Sequence, residues 1–175
     1  MNKENAKLFF EEYRGEKSTD FYALAQSGSA RQNFVGTTST GKFIITYNEN
    51  LAENESFYYF SKIFSALKLN SPQIFKISED RKLYVQEFLG ENTLSEIIEK
   101  EGLSDRVKSL VKQTLTKLFE LQTRTENQID YSKTFEYENY DNLPITNDLF
   151  YFKSFIADVL EFPYHKASLL KEFKK

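Results

Sequence analysis

The sequence predicts an α+β fold, in which five antiparallel strands with one inserted helix are followed only by helices. Between residues 21 and 48, β-branched and aromatic side chains recur with a period of two, which indicates strands. From Phe57 onward, apolar residues recur at spacings of three and four, which indicates an amphipathic helix. After Gly90 the helical pattern continues. We therefore expect a sheet-containing part over residues 1–90 and a helical part over residues 91–175.

The predicted sheet consists of a three-stranded meander and a later hairpin. Turns containing Gly, Ser and Thr separate the first three strands, and a polar turn over residues 79–82 separates the last two, as expected from the backbone preferences of turn residues. The strands are predicted at residues 21–26, 33–38, 42–48, 73–78 and 83–88.

The helices are predicted from capping residues and apolar stripes. Asn50 with Glu53 three residues later marks the start of the inserted helix, and its aromatic stripe at residues 57, 60, 64 and 67 is predicted to be core. Thr93 with Glu96 marks another start, and a longer helix from Ser104 carries an apolar stripe wide enough to be covered on two sides. Further helices are predicted at residues 7–13 (apolar side Leu8, Phe9 and Tyr13), 148–160 and after Pro163, with a loop over residues 123–144.

Composition excludes several classes of protein. The 175 residues include 23 Lys and Arg and 26 Asp and Glu, so the net charge of −3 argues against a nucleic-acid binder held by phosphate contacts. With no Cys and one His, a disulfide framework, a thiolate metal site and a His-rich metal centre are excluded. The sequence has no apolar run of about 18 residues and no signal-peptide core, so we expect no membrane association and a cytoplasmic location.

The order of elements resembles a known family. A Gly- and Ser-rich turn lies between the first two predicted strands, a helix follows the third, and a glycine follows the fifth. This arrangement resembles the nucleotide-binding lobe of protein-kinase-like folds, specifically the aminoglycoside phosphotransferase and sugar and choline kinase family. The resemblance covers about residues 20–122 and implies ATP and Mg²⁺ as cofactors.

The resemblance also implies a set of nucleotide-contacting residues. The Gln86 carbonyl and the Phe88 amide would hold the adenine, and Glu55, or else Glu53, would brace the cation that contacts the phosphates. The segment similar to the family's phosphate loop consists of Ser27, Gly28, Ser29, Ala30 and Arg31.

The sequence departs from the family at the third strand. The family places a phosphate-contacting Lys there, whereas this chain has Thr46 or Tyr47 at the matching place. Arg31, in the loop itself, could supply the missing cation. We state this as a hypothesis that Arg31→Ala tests.

A second departure concerns catalysis. The family carries its catalytic base in a loop with Asn five residues after Asp, and none of the seven Asp residues of this chain has Asn at that spacing. No catalytic or metal-binding residue is therefore predicted here, and we expect the catalytic lobe to be missing and supplied in cis or in trans. Two alternatives remain open: a non-catalytic, pseudokinase-like module that binds a nucleotide or a partner, and a purely structural α+β interaction protein.

Overall fold

The computed structural model describes residues 3–26 and 30–174. Ser27, Gly28 and Ser29, which were predicted to contact phosphate, lie outside the described residues. The chain forms two compact units, Met1–Phe135 and Glu136–Lys175, and each is described by itself below. The functional boundary predicted after Gly90 stays a prediction.

The first unit contains one open antiparallel sheet, as the sequence predicted. Its strand order is β1-β2-β3-β5-β4, and every neighbouring pair is antiparallel. The first strand ends earlier than predicted, at Ala23, and the Leu24 N–H makes one further hydrogen bond to the Asn33 carbonyl (2.8 Å). The strands are β1 (Asp20–Ala23), β2 (Gln32–Thr38), β3 (Gly41–Tyr47), β4 (Ile74–Ile77) and β5 (Leu83–Glu87).

Six α-helices accompany the sheet among the described residues, and the second of them is inserted between β3 and β4, as predicted. None of the described helices combines the length and apolar character needed to cross a bilayer. The helices are α1 (Lys3–Arg14), α2 (Leu51–Ala66), α3 (Leu94–Glu101), α4 (Asp105–Arg124), α5 (Asn142–Phe152) and α6 (Lys166–Glu172), with a 3-10 turn at Tyr131–Lys133 and a π-helical turn at Lys153–Ala157.

Helix α1 covers one face of the sheet and forms the core there. Ala6 and Phe10 are fully buried, and the Phe10 ring lies between the rings of Phe21 and Phe43, at 6.2 and 5.6 Å. The predicted apolar side of this helix was partly wrong, because Leu8 is exposed. The helix begins four residues earlier than predicted, so the line of Ala6 and Phe10 faces the sheet instead.

Helix α2 is anchored to the turn between β4 and β5 by polar side chains. The Asn54 side-chain amide donates to the carbonyls of Asn48 (3.0 Å) and Arg81 (2.9 Å), and the Tyr58 hydroxyl donates to the same Arg81 carbonyl (3.0 Å). The buried line of this helix is Asn54, Tyr58 and Ser61. The predicted aromatic stripe is therefore only half-buried, because polar anchoring sets how the helix is rotated.

Helices α3 and α4 form a hairpin with well-defined starts. Thr93 and Glu96 make a reciprocal capping box at α3, and Ser104 caps α4. The expectation that α4 is covered on two sides is wrong for this structure. Val107 is its buried residue, whereas Leu115 and Phe119 are more than half exposed.

The second unit is a small, aromatic helical segment. Its first helix is capped by the Asp141 side chain and begins six residues before the predicted start at residue 148, because this cap lies inside the predicted loop. The rings of Tyr151 and Phe155 stack at 4.4 Å, and Phe150 meets Phe173 edge-on at 5.7 Å. The Phe150–Phe173 contact joins α5 to the residue that follows α6.

Candidate functional site

The sheet face opposite α1 carries two rows of side chains that differ in polarity. Because side chains alternate along a strand, Val35 and Ile44 face away from the core residues Phe34 and Ile45. The strand register aligns Tyr22, Val35, Ile44 and Gln86 in one row. Two residues further along, it aligns Asn33, Thr46 and Tyr84 in a second row, about 7 Å away by the rise of a strand.

An open cavity lies where the first row meets the segment after β5. Its volume is about 650 Å³, within the range of small-molecule sites. Apolar side chains of three strands line it, and the backbone of the segment after β5 closes one side. Its lining includes Tyr22, Val35, Ile44, Gln86, Phe88 and Gly90.

A hydrogen-bonded chain links the two rows. The Gln86 side-chain Nε2 donates to Thr46 Oγ1 (3.1 Å), and Thr46 Oγ1 donates to Asn33 Oδ1 (2.7 Å). Thr46 is almost fully buried. These contacts hold the side chain of Thr46, which is one of the two residues that could match the family's lysine.

Arg31 lies at the polar end of the same face and is ion-paired to α2. Its guanidinium is 2.5 Å from Glu53 Oε1, and it lies 5.7 Å from the centre of the Phe57 ring. The second carboxylate oxygen of Glu53 accepts from Asn48 Nδ2 (2.7 Å). Asn48 is buried and directly follows β3. A buried amide thus holds the carboxylate that pairs with Arg31.

The other predicted brace, Glu55, lies elsewhere. Its carboxylate pairs with Arg81 of the β4–β5 turn, and this contact holds the pKa of the Glu55 carboxyl below its usual value. Both side chains are about half exposed. Of the two glutamates considered from the sequence, the structure therefore brings Glu53 to Arg31.

Lys42 also lies away from Thr46, at the opposite end of β3. Its ammonium group pairs with Glu91 and lies 5.6 Å from the centre of the Phe88 ring. The pairing raises the pKa of Lys42. The Lys42 side chain therefore contacts the segment after β5 and not the row of Asn33, Thr46 and Tyr84.

The pairing of β3 with β5 affects which backbone groups near Gln86 and Phe88 are available to hydrogen-bond to an adenine. The Asn48 N–H donates to the Lys82 carbonyl, and hydrogen-bonded pairs alternate along an antiparallel ladder, so Ile44 and Gln86 form such a pair. The Gln73 N–H donates to the Glu87 carboxylate (3.2 Å). Because the backbone of Gln86 is paired with Ile44, the backbone groups after Gln86 are better placed to hydrogen-bond to a ligand. The predicted contacts from the Gln86 carbonyl and the Phe88 amide stay predictions.

The electrostatics of this face are set by Arg31, Glu53 and a buried tyrosine. Burial raises the pKa of the Tyr84 hydroxyl, and the Arg31 guanidinium acts in the opposite direction. Residues 3–26 and 30–174 contain no group of three or more His, Asp and Glu side chains placed to hold a metal ion.

Comparisons with known proteins give no family assignment. A scan against protein-family models and a search of curated proteins found no match to this chain.

Sequence reasoning identified part of this site and missed the rest. Ala30 is exposed at the bend before Arg31. Arg31 lines a smaller cavity, with Gln32 and Phe34, and not the one at the end of β5. Its predicted role as the phosphate cation stays a prediction. Val35, Ile44 and Asn48 were missed. The period-two alternation already contained the signal for Val35 and Ile44, because it places them opposite the core residues. No sequence signal identifies Asn48, whose role depends on the register between β2 and β3.

Proposed function

We propose that this chain is the ATP-binding portion of a small-molecule phosphotransferase similar to the aminoglycoside phosphotransferase family. The acceptor would be a hydroxyl group of a sugar or amino sugar. The observation that carries the proposal is the cavity of about 650 Å³ at the end of β5, bounded by an apolar row and lying on the same face as an arginine. The strand order with α2 inserted after β3 supports the resemblance to the nucleotide lobe of kinase-like folds.

The cavity suits a nucleoside because one side is apolar and the other offers backbone hydrogen-bonding groups. Val35 and Ile44 offer an apolar floor for the flat face of a purine, and the adjacent backbone offers hydrogen bonds to its edge. From there the ribose and phosphates would extend toward Arg31. Thr46 would not contact them, because it is almost fully buried. By resemblance to the family, the segment of residues 27–31, of which 27–29 lie outside the described residues, would cover the phosphates with backbone N–H groups.

The catalytic chemistry needs groups that this chain does not offer. A phosphotransferase of this type uses an Asp base and carboxylate or amide ligands for Mg²⁺, and the described residues contain no metal-binding cluster. We assign Mg²⁺ no ligand in this chain and derive no step through it. In this proposal the chain binds ATP, and a catalytic lobe in cis or in trans supplies the base.

A non-catalytic module that binds a nucleotide or a partner is the second candidate. The presence of Thr46 or Tyr47 at the place of the family's lysine favours it, because a lost lysine weakens phosphate binding and catalysis. Saturable ATP binding without phosphorylation of any sugar by the full natural protein would favour this candidate. If no nucleotide binds even at millimolar concentration, a structural interaction protein becomes the better account.

A cavity-filling variant tests the proposed site. Ile44→Trp places a bulky ring on the floor where the purine would lie, and we expect at least a tenfold loss of ATP affinity in isothermal titration calorimetry. Leu8→Trp is the matched control, because Leu8 is half exposed on α1, which covers the other sheet face. Equal ATP affinity for Ile44→Trp and the unmodified chain would contradict the proposal.

A further inference from the structure

Strand β4 lies at one edge of the sheet, and part of its backbone faces away from its neighbour. The strand order places β5 on one side of it and none of the described strands on the other. The Ser78 N–H donates to the Leu83 carbonyl (2.8 Å). Because hydrogen-bonded pairs alternate along an antiparallel ladder, the neighbouring pair of Ile77 and Tyr84 is not hydrogen-bonded. The backbone N–H and C=O of Ile77 therefore point to the open edge.

A β-bulge gives Ile74 the same orientation. Ile74 pairs with Gln86 of β5, and Gln86 directs its own backbone groups to Ile44 on its other side. The bulge inserts one residue between Ile74 and Lys76, so Ile74 and Ile77 are in phase although they lie three positions apart. Two residues of β4 thus present both a backbone donor and a backbone acceptor at the open edge.

A groove of about 540 Å³ lies between this edge and α2. Residues 73–77 all line it, although side chains alternate between the two faces of a strand, so the groove runs along the backbone edge itself. The opposite wall is one face of α2, at positions i, i+3, i+4 and i+7 of the helix, and consists of Tyr58, Ser61, Lys62 and Ser65. The groove therefore has a strand backbone along one wall and a helix face along the other.

The groove is basic, whereas the chain as a whole is acidic. Lys62 on α2 and Lys76 on β4 line it, and none of the described residues in its lining is Asp or Glu. The whole chain has 26 Asp and Glu against 23 Lys and Arg. Neither lysine takes part in the ion pairs formed within residues 3–26 and 30–174. Carboxylates on a bound partner would complement both ammonium groups.

We propose that this groove binds an extended acidic peptide of a partner protein, which adds a sixth strand to the sheet at β4. The peptide backbone pairs with Ile74 and Ile77, alternate side chains lie between α2 and the sheet, and carboxylates pair with Lys62 and Lys76. A lysine on a short edge strand deters pairing with strands in general, and an acidic strand is the kind that it still accepts.

Two observations separate this inference from its alternatives. A second copy of the chain is a poor occupant, because pairing two β4 edges would bring the lysines of both copies together, and like charges on neighbouring strands are destabilising. The groove also shares no lining residue with the cavity at the end of β5. The inference therefore does not depend on the proposed binding of ATP.

Three labelled peptides test the proposal by fluorescence anisotropy with the full chain. The first alternates Glu and Val, and we expect it to bind saturably. The second has Lys in place of each Glu and should bind at least tenfold more weakly, because its charges oppose those of the groove. The third keeps the Glu and Val side chains but has every backbone nitrogen methylated. It should also bind at least tenfold more weakly, because strand addition needs the backbone N–H groups.

A matched pair of variants and an exchange measurement locate the bound peptide. Lys62 and Lys112 are both exposed on helices, and of the two Lys62 lines the groove. We expect Lys62→Glu to weaken binding of the Glu and Val peptide at least tenfold and Lys112→Glu to leave it within about twofold. In hydrogen exchange followed by NMR, the N–H groups of Ile74 and Ile77 should exchange more slowly once the peptide is bound.

Three results would overturn the inference. They are no saturable binding of the Glu and Val peptide, equal affinity for its methylated form, and slow exchange of the Ile74 and Ile77 amides in a dimer without peptide, which would assign the edge to a second copy. Should Lys62→Glu not fold, as judged by circular dichroism, the three peptides on the unmodified chain decide. A failure of peptide binding leaves the proposed function intact, and a failure of ATP binding leaves this inference intact.

Discussion

At the scale of single residues, Gly36 shows how closely α1 approaches the sheet. It lies within β2, and a Cβ atom at this position would overlap the ring of Phe10. That ring is fully buried and is confined by Phe21 and Phe43. A glycine inside a strand often marks such a close approach, and here it makes room for the central core residue.

We expect Gly36→Ala to lower the free energy of unfolding by about 1–3 kcal/mol, the usual cost of overfilling a packed core. Urea unfolding followed by circular dichroism measures it. The cost should be smaller in a Phe10→Leu background, because the shorter side chain leaves space for the methyl group. A Gly36→Ala variant as stable as the unmodified chain would show that α1 does not press on β2 at this point.

At the scale of elements, Glu11 joins α1 to the segment that leads into β1. Its carboxylate accepts from Lys17 Nζ (2.8 Å), the Ser18 N–H (2.9 Å) and the Ser18 hydroxyl (2.8 Å). These hydrogen bonds, with that from Lys17 the largest contribution, lower the pKa of Glu11 from 4.5 to about 2. Among the residues that the structure describes, Glu11 is the one buried residue with a charged side chain.

A lowered pKa means that folding favours the ionised carboxylate, so this contribution to stability is complete above about pH 4.5 and is lost as the pH falls toward 2. We predict that Glu11→Gln lowers the melting temperature by a few degrees at pH 7. The difference from the unmodified chain should shrink between pH 4.5 and pH 2. Thermal melts at several pH values measure it, and a difference that stays constant over this range would refute the assigned role. Glu12→Gln, on the same helix, is the control.

The helices also show where sequence patterns stop being informative. The strands and the inserted helix could be predicted because alternation, turn residues and caps are local signals. The rotation of each helix about its axis could not, because it depends on contacts made across the fold. In α2, the bonds from Asn54 to two carbonyls turn a polar line inward and leave Phe60 and Phe64 half-buried. In α1, Leu8 turns outward because Phe10 occupies the space beside Gly36.

At the scale of the whole molecule, the two faces of the sheet differ in burial and polarity. One face is buried under α1, and the other combines an apolar row, a polar row and a constrained ion pair. The α+β class and the five antiparallel strands follow from the sequence. The choice between Glu53 and Glu55 does not, because both lie in the first turns of α2 and only the register of β2 against β3 brings Arg31 to one of them.

The central claim is that the cavity at the end of β5 binds ATP, and the most direct measurement is an ATP titration followed by ¹H–¹⁵N NMR. We predict saturable shifts of the amide signals of Val35, Ile44 and residues 86–90, with little change in α1. A chain whose spectrum does not change up to millimolar ATP would contradict the claim. So would shifts confined to the groove between α2 and β4, where Lys62 and Lys76 could attract phosphate without a base site.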